Sequence, residues 1–128
     1  VNNDGGRKVG YLAPSVDGQV EAAREALSLS GCAPDSIGLI EAHGTGTRAG
    51  DPVEGEAIAR VLGTSRRAEQ PLYIGSVKTN IGHTEGAAGV AGLIKAAATR
   101  LTSPSQCRRS GMAWRVMPRS HEVVGAAA

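Results

Sequence analysis

The chain has 128 residues, a formal net charge of +2 at pH 7 and 41% hydrophobic residues, which is enough for one modest domain. Only 2% of its residues are aromatic and 18 are glycine, so its core must use aliphatic and small side chains. The scattered basic residues argue against nucleic-acid binding. No apolar run approaches the roughly 20 residues that span a bilayer, and no signal-peptide pattern is present. A cytoplasmic protein is therefore expected.

The first helix is predicted over residues 16–30, after a segment rich in glycine, asparagine and proline that favours a loop. Apolar residues recur there at helical spacing, and Val20, Ala23 and Leu27 share one face. Gly31 follows as a stop signal. These features predict an amphipathic helix.

The segment IGLIEAHG then predicts a short strand with His43 at its C-terminal end. The following segment, DPVEGEAIARVLG, predicts a helix with Asp51 as the N-cap and Pro52 at the first helical position. Glu54 lies three residues after Asp51, the spacing of a capping box.

A second strand is predicted in PLYIGSVK, and a further helix in TEGAAGVAGLIKAAATRL. This order of helices and strands predicts a parallel α/β layer. The last helix is built almost entirely of glycine, alanine and aliphatic residues, which predicts a buried helix that another backbone approaches closely. Residues 102–128 lack periodicity and predict a poorly ordered tail.

Two histidines are the strongest candidates for chemistry. His43 and His83 each follow a predicted strand and precede a turn into a helix, and adjacent parallel strands would bring them together. Neutral imidazoles at such positions can donate hydrogen bonds to a developing oxyanion, so the two could stabilise an enolate. A purely packing role for each histidine remains open from the residues alone.

Other groups give weaker signals. Lys78 could be a catalytic residue, a solvated residue at a strand end or a partner in a structural ion pair. The structural ion pair is the preferred interpretation. The GTGT turn lacks the GxGxxG fingerprint, so nucleotide binding is a remote alternative. Cys32, Cys107 and His121 lack the spacing of metal ligands, and a disulfide framework is not indicated, so no metal site is expected.

Two long motifs carry a family resemblance. EAHGTGTRAGDPVEGEAI and IGSVKTNIGHTEGAAGVAGLIKAA resemble the C-terminal half of β-ketoacyl synthases, and in particular the ketosynthase domains of modular polyketide synthases. The resemblance covers residues 1–101 and leaves residues 102–128 unmatched. It implies a thiolase-like α/β fold with a parallel or mixed sheet, helices on both faces and a central buried helix over residues 85–98.

The resemblance also implies a reaction. In this family a cysteine takes an acyl chain from a carrier-protein thioester; the enolate left when a malonyl-type thioester loses carbon dioxide then attacks that acyl group and releases the cysteine. His43 and His83 would hydrogen-bond the thioester carbonyl and stabilise the enolate. Thr45 and Thr47 match residues that contact the phosphopantetheine arm, and Lys78 matches a lysine that supports the histidines through a buried ion pair. No cofactor would bind directly, because the substrate is carried on the phosphopantetheine of an acyl carrier protein.

The chain also departs from the family. The CSSS-type elbow of the nucleophile belongs to the N-terminal half, and neither Cys32 nor Cys107 matches it. The tail does not resemble the last strands of the family, which suggests a frameshift, a truncation or an artificial chain end.

The expected partners are an acyl carrier protein, the N-terminal half of the ketosynthase and, by resemblance, a second copy in a homodimer. No nucleic acid or membrane is expected among them. Alone, the chain would be inactive, and exposed Leu93 and Ile94 would favour aggregation. A non-catalytic remnant or an interaction fragment is the alternative.

Overall fold

The computed structural model describes residues 8, 10–64, 66–67, 70–101, 114–116 and 123–125. Its helices and strands are, in chain order, α1 (Val16–Ser30), β1 (Leu39–Glu41), α2 (Gly50–Ile58), β2 (Leu72–Gly75), α3 (Lys78–Ile81), α4 (Ala88–Leu101), β3 (Trp114–Val116) and β4 (Val123–Gly125). A π-helical turn, Ala59–Gly63, extends α2, and short 3-10 turns cover Pro34–Ser36 and Glu85–Ala87. None of the helices in this part of the chain combines the length and apolar character needed to cross a membrane.

The four strands form one mixed sheet in the order β1-β2-β3-β4. β1 and β2 are parallel, with Leu39 opposite Tyr73 and Glu41 opposite Gly75, whereas the β2–β3 and β3–β4 pairs are antiparallel. The predicted α/β architecture with a mixed sheet is therefore confirmed. Because β1 and β2 are parallel, the segments that follow them leave from the same edge of the sheet.

The hydrophobic core lies on the face of the sheet that α1 and α2 cover. Its buried members come from α1, α2, the π-helical turn and β2: Val20, Ala57, Val61, Leu62, Leu72 and Ile74. Ile40 of β1 packs against this cluster. Side chains alternate along a strand, so Glu41 points to the opposite face, where β1 meets α4.

Helix α1 follows the sequence prediction in its bounds and its apolar face. Ser15 is the N-cap, and its hydroxyl accepts a hydrogen bond from the Gly18 N–H at 3.1 Å. Gly31 ends the helix with a φ of 64°, a left-handed conformation that glycine adopts without steric cost. Val20 is buried, and Ala23 and Leu27 are partly buried against the core.

The predicted capping box of α2 is wrong. The helix begins at Gly50, and the preceding Ala49 makes no side-chain cap, so Asp51 lies within the first turn and Pro52 is the third helical residue instead of the first. The Asp51 carboxylate accepts from the Gly46 N–H at 3.2 Å, and Glu54 reaches back to the backbone beyond β1. The spacing fits a capping box, but both carboxylates satisfy amides of the preceding loop instead.

The predicted burial of the last helix is found on only one side of α4. Gly92 is buried against β1, but Val90, Leu93 and Ile94 are 61%, 70% and 63% exposed. The exposure of Leu93 and Ile94 agrees with the expectation from the sequence. The predicted poorly ordered tail lies mostly outside the described residues, although β3 and β4 fall within it.

One buried cation, Arg66, binds backbone carbonyl groups in several of the segments that connect these elements. Arg66 is 7% exposed, and its guanidinium donates to the carbonyl oxygens of Leu62 at 2.8 Å, Gln70 at 3.3 Å and Pro34 at 2.7 Å, and also to that of Ile37. Loss of hydration lowers the pKa of Arg66, and nearby Asp35 partly opposes that shift. Only the planar fork of arginine offers enough donors for such a set of carbonyls.

We expect Arg66→Ala to lower the free energy of unfolding by about 3 kcal/mol, because it leaves buried carbonyl groups without donors. Urea denaturation followed by circular dichroism measures this loss. The matched control is Arg67→Ala at the exposed neighbouring position, which should change stability by less than about 0.5 kcal/mol. Equal effects of the two substitutions would contradict the role of Arg66.

The exposed face of α4 predicts self-association. Because an aliphatic side chain contributes about 1.5–3 kcal/mol when buried, Ile94→Glu should weaken association by at least about tenfold. Sedimentation velocity over a concentration series measures this change. Leu29→Glu on α1, where Leu29 is 81% exposed, is the control and should leave association unchanged. A wild-type chain that stays monomeric and melts cooperatively would contradict the prediction.

Candidate functional site

The two candidate histidines lie beside each other at one edge of the sheet. His43 follows β1 by two residues, and His83 follows α3 and Gly82, where φ is 74°. Their ring centroids are 5.9 Å apart and the ring planes are nearly perpendicular, at 84°. Both residues are exposed at this edge. The prediction that adjacent parallel strands bring His43 and His83 together is confirmed.

A backbone contact defines the hydrogen-bonding state of His83. Its Nδ1 atom accepts from the Glu85 N–H at 3.0 Å, so the neutral ring carries its proton on Nε2. The Glu85 carboxylate lies 3.6 Å from the same nitrogen, and that contact would favour a proton on Nδ1. The backbone contact is shorter, and the carboxylate is 88% exposed to water, so we assign the proton to Nε2. His83 can then donate a hydrogen bond from Nε2.

The loop that carries His43 is held by Glu54. One carboxylate oxygen of Glu54 accepts from the His43 N–H at 2.7 Å, and the other accepts from the Gly44 N–H at 3.0 Å. The Ser76 hydroxyl donates to the His43 carbonyl at 3.3 Å. Gly44 has a φ of 47°, and a Cβ there would lie 2.6 Å from Ser76 Cβ. The loop therefore packs tightly against the residue that follows β2.

Sequence reasoning missed this role of Glu54. The residue belongs to α2 and lies eleven positions after His43, a spacing with no helical or strand periodicity. Glu54 lies within the motif EAHGTGTRAGDPVEGEAI, but its spacing from Asp51 predicts a capping box and gives no sign of a contact with His43.

The two candidate threonines have different surroundings. Thr45 lines a cleft with Lys78 and His83. The Thr47 hydroxyl accepts from the Gly50 N–H at 3.0 Å at the start of α2, and it lies 3.5 Å from the Thr45 hydroxyl. The structure thus places Thr45 beside the histidine site, whereas Thr47 also stabilises the first turn of the following helix.

Two clefts meet at His83, and His43 lines the second of them. The first has a volume of about 380 Å³ and lies between the loop containing Thr45, the end of β2 and α3. The second has a volume of about 540 Å³ and runs along α4, past Glu41 and Leu93. His83 and Lys78 line both clefts. A molecule in either cleft could therefore reach the His83 ring.

The predicted buried ion pair of Lys78 is not found. Lys78 is half-buried, and within residues 10–64, 66–67 and 70–101 no carboxylate forms an ion pair with it. Glu41 forms an ion pair with Lys95 of α4 instead, with 2.9 Å between Lys95 Nζ and Glu41 Oε2. Sequence reasoning missed this pair, because no periodic spacing relates Glu41 of β1 to Lys95 of α4.

The residues considered as metal ligands are not assembled in the described structure. Cys32 is an exposed free thiol, and Cys107 and His121 lie outside the described residues. In the described ranges, no cluster of three or more histidine, cysteine, aspartate or glutamate side chains is arranged to hold a metal ion.

Comparison with known proteins places these motifs in a family. A family model described as "Beta-ketoacyl synthase, C-terminal domain" matches residues 1–100. Polyketide synthase GfsE of Streptomyces halstedii is 53% identical over 95 residues, which cover 74% of this chain and 2% of GfsE. Polyketide synthase PksN of Bacillus subtilis is 50% identical over 97 residues, 76% of this chain and 2% of PksN.

Solved structures agree with this assignment. Ketosynthase twelve of the bacillaene polyketide synthase from Bacillus amyloliquefaciens is 51% identical, with a TM-score of 0.68 over 75% of this chain and 17% of the ketosynthase. The oxazolomycin ketosynthase domain OzmH KS8 of Streptomyces albus is 38% identical, with a TM-score of 0.63 over 73% of this chain and 25% of that domain. The chain spans a small part of each relative, and it belongs to the β-ketoacyl synthase family as a piece of the C-terminal ketosynthase domain.

Proposed function

We propose that this chain supplies the two-histidine site of a polyketide β-ketoacyl synthase, an acyltransferase that performs decarboxylative Claisen condensation. The substrate class is a malonyl-type thioester carried on an acyl carrier protein. The observation that supports this proposal best is the pairing of His43 and His83, with ring centroids 5.9 Å apart at the junction of two clefts.

The chemistry follows from what these rings can donate. Loss of carbon dioxide from a malonyl thioester leaves an electron pair that is delocalised onto the thioester carbonyl oxygen as an enolate. His83 can donate to that oxygen from Nε2, because its Nδ1 accepts from the Glu85 N–H. His43 would provide the second donor. Donors fixed in advance stabilise the developing negative charge more than the neutral carbonyl, which lowers the barrier.

The surrounding residues receive supporting roles. Thr45, which lines the first cleft, and Thr47 beside it would contact the amides of the phosphopantetheine arm. The Thr47 hydroxyl already accepts from the Gly50 N–H but keeps its own hydrogen to donate. Lys78 lines both clefts, so its positive charge would favour the enolate electrostatically. We assign no proton transfer to Lys78.

The remaining parts of the reaction would come from partners. The nucleophilic cysteine is expected from the N-terminal half of the ketosynthase, and that half would cover the exposed face of α4 formed by Val90, Leu93 and Ile94. The carrier protein would deliver the substrate, and the assembled enzyme would act as a homodimer in the cytoplasm. By itself the chain should not perform condensation.

The nucleotide-binding alternative is not favoured by the geometry of the GTGT turn. A phosphate cradle needs free backbone N–H groups. Here the Gly44 N–H is bonded to the Glu54 carboxylate and the Gly46 N–H to that of Asp51, so negative charges occupy the positions that a phosphate would take. The remaining alternative is a non-catalytic remnant or interaction fragment, which a decarboxylation assay distinguishes from the proposed function.

Decarboxylation of a malonyl carrier-protein thioester tests the proposal directly. The chain is assayed alone and with a separately expressed N-terminal ketosynthase half, in the wild-type, His43→Ala and His83→Ala forms. We expect activity only on mixing, and a loss of about 10²- to 10³-fold in each variant, because each removes one donor to the enolate oxygen. A folded, stoichiometric complex without decarboxylation would instead support the remnant.

The same assay tests Glu54. We expect Glu54→Gln to reduce the decarboxylation rate by about 10²-fold, because an amide has only one acceptor oxygen for the two N–H groups of His43 and Gly44, and displacement of a reacting group by about 1 Å has that effect. The matched control is Glu56→Gln on the same helix, where Glu56 pairs with surface Arg60 at 2.8 Å. If both variants keep the wild-type rate, Glu54 does not position His43.

A further inference from the structure

We propose that Glu41 is a positioning residue for the histidine pair, held in place by Lys95, and that its carboxylate sets the separation of the two rings. This inference rests on the proposed function for its catalytic consequence. Its structural part concerns only contacts within this chain and can be tested without substrate.

Glu41 is connected to both histidines by short, ordered paths. It is the last residue of β1 and lies two positions before His43 in the chain. One of its carboxylate oxygens accepts a hydrogen bond from the Val77 N–H, at the start of α3. The Asn80 N–H donates to the Val77 carbonyl at 2.9 Å, so this contact anchors the helical turn that ends just before His83.

The second oxygen of Glu41 connects the same point to α4. Lys95 Nζ lies 2.9 Å from Oε2, an ion-pair contact that lacks hydrogen-bond alignment. The side chains of Glu41 and Lys95 are only 13% and 19% exposed. A carboxylate with so little hydration needs a nearby positive charge, and Lys95 supplies it. The pair therefore fixes β1, the start of α3 and α4 relative to one another.

Gly92 makes room for this arrangement. A Cβ at Gly92 would lie 3.1 Å from Glu41 Cγ, which is closer than ordinary contact. At Gly89, one turn earlier on α4, a Cβ would meet nothing within 4 Å. Alanine at position 92 would therefore push on the Glu41 side chain without changing any charge, whereas alanine at position 89 would not.

These contacts give Glu41 a role that differs from general stabilisation. The Arg60–Glu56 pair also joins charged side chains, but it is exposed and lies along one helix. Glu41 instead joins the two segments that carry the histidines. Loss of its carboxylate should change the distance between the His43 and His83 rings without disturbing the packing of the hydrophobic core on the other face of the sheet.

The test uses the full chain with Ile94→Glu as a common background that limits self-association. The probes are NMR cross-relaxation between the His43 and His83 ring protons and hydrogen exchange at the Val77 amide. In Glu41→Ala we expect the cross-relaxation to disappear and Val77 exchange to rise about tenfold, the factor expected for one charge-assisted hydrogen bond. A folded Glu41→Ala variant that keeps both signals at wild-type values would overturn the proposal.

Gly92→Ala decides the matter if Glu41→Ala does not fold. Alanine favours a helix more than glycine does, so this variant should fold while weakening the cross-relaxation between the two rings. Gly89→Ala is its matched control and should keep the ring contact. Val20→Ala, a destabilising change in the core, should also keep it, which separates positioning from stability. Retention of the ring contact and of Val77 protection in Gly92→Ala would then overturn the proposal.

The catalytic consequence is measured in the reconstituted decarboxylation assay, in the chain that keeps Ile94, because Ile94 belongs to the face that the N-terminal half would cover. We expect the Glu41 variant to lower kcat at least about tenfold with little change in KM, because a misplaced donor affects the transition state more than binding. An unchanged kcat would overturn the catalytic part. If no wild-type mixture decarboxylates the substrate, the proposed function fails, while the NMR and exchange results still decide whether Glu41 positions the rings.

Discussion

The parallel pairing of β1 with β2 is the constraint on which the rest of the site depends. It aligns Glu41 with Gly75, so that both strands end at the same edge of the sheet. The Ala42 N–H extends the pairing by donating to the Gly75 carbonyl at 2.7 Å. The segments that contain His43 and His83 both leave the sheet from this edge. An antiparallel pair would send the two segments to opposite edges, and His43 could not face His83.

Carboxylates then convert this edge into a defined site. Glu54 holds the backbone of His43, Asp51 holds that of Gly46, and Glu41 holds the start of the turn leading to His83. Loops outside regular structure leave backbone N–H groups without partners, and an ionised carboxylate is a strong acceptor for them. These acidic residues therefore act on the backbone, and both imidazoles remain exposed.

The sequence predicted features that arise from local patterns. α1 was predicted in full because its apolar periodicity and its terminal glycine act within a few residues of each other. The proximity of His43 and His83 followed from strand order, which depends on connectivity and not on side-chain detail. Glu54 and the Glu41–Lys95 pair were missed because their contacts join positions with no periodic relation. The family motifs contain these residues, but a motif does not state which atoms they bind.

The glycines of α4 show why a sequence pattern can exceed what one chain explains. Gly92 has a partner here, since Glu41 occupies the space that a Cβ would need, but a Cβ at Gly89 would meet nothing within 4 Å. Glycine is unfavourable inside a helix, and among the described residues no side chain or backbone uses the space beside Gly89. Val90 and Leu93 are exposed on the same helix. The small-residue composition of α4 thus exceeds what its contact with β1 requires.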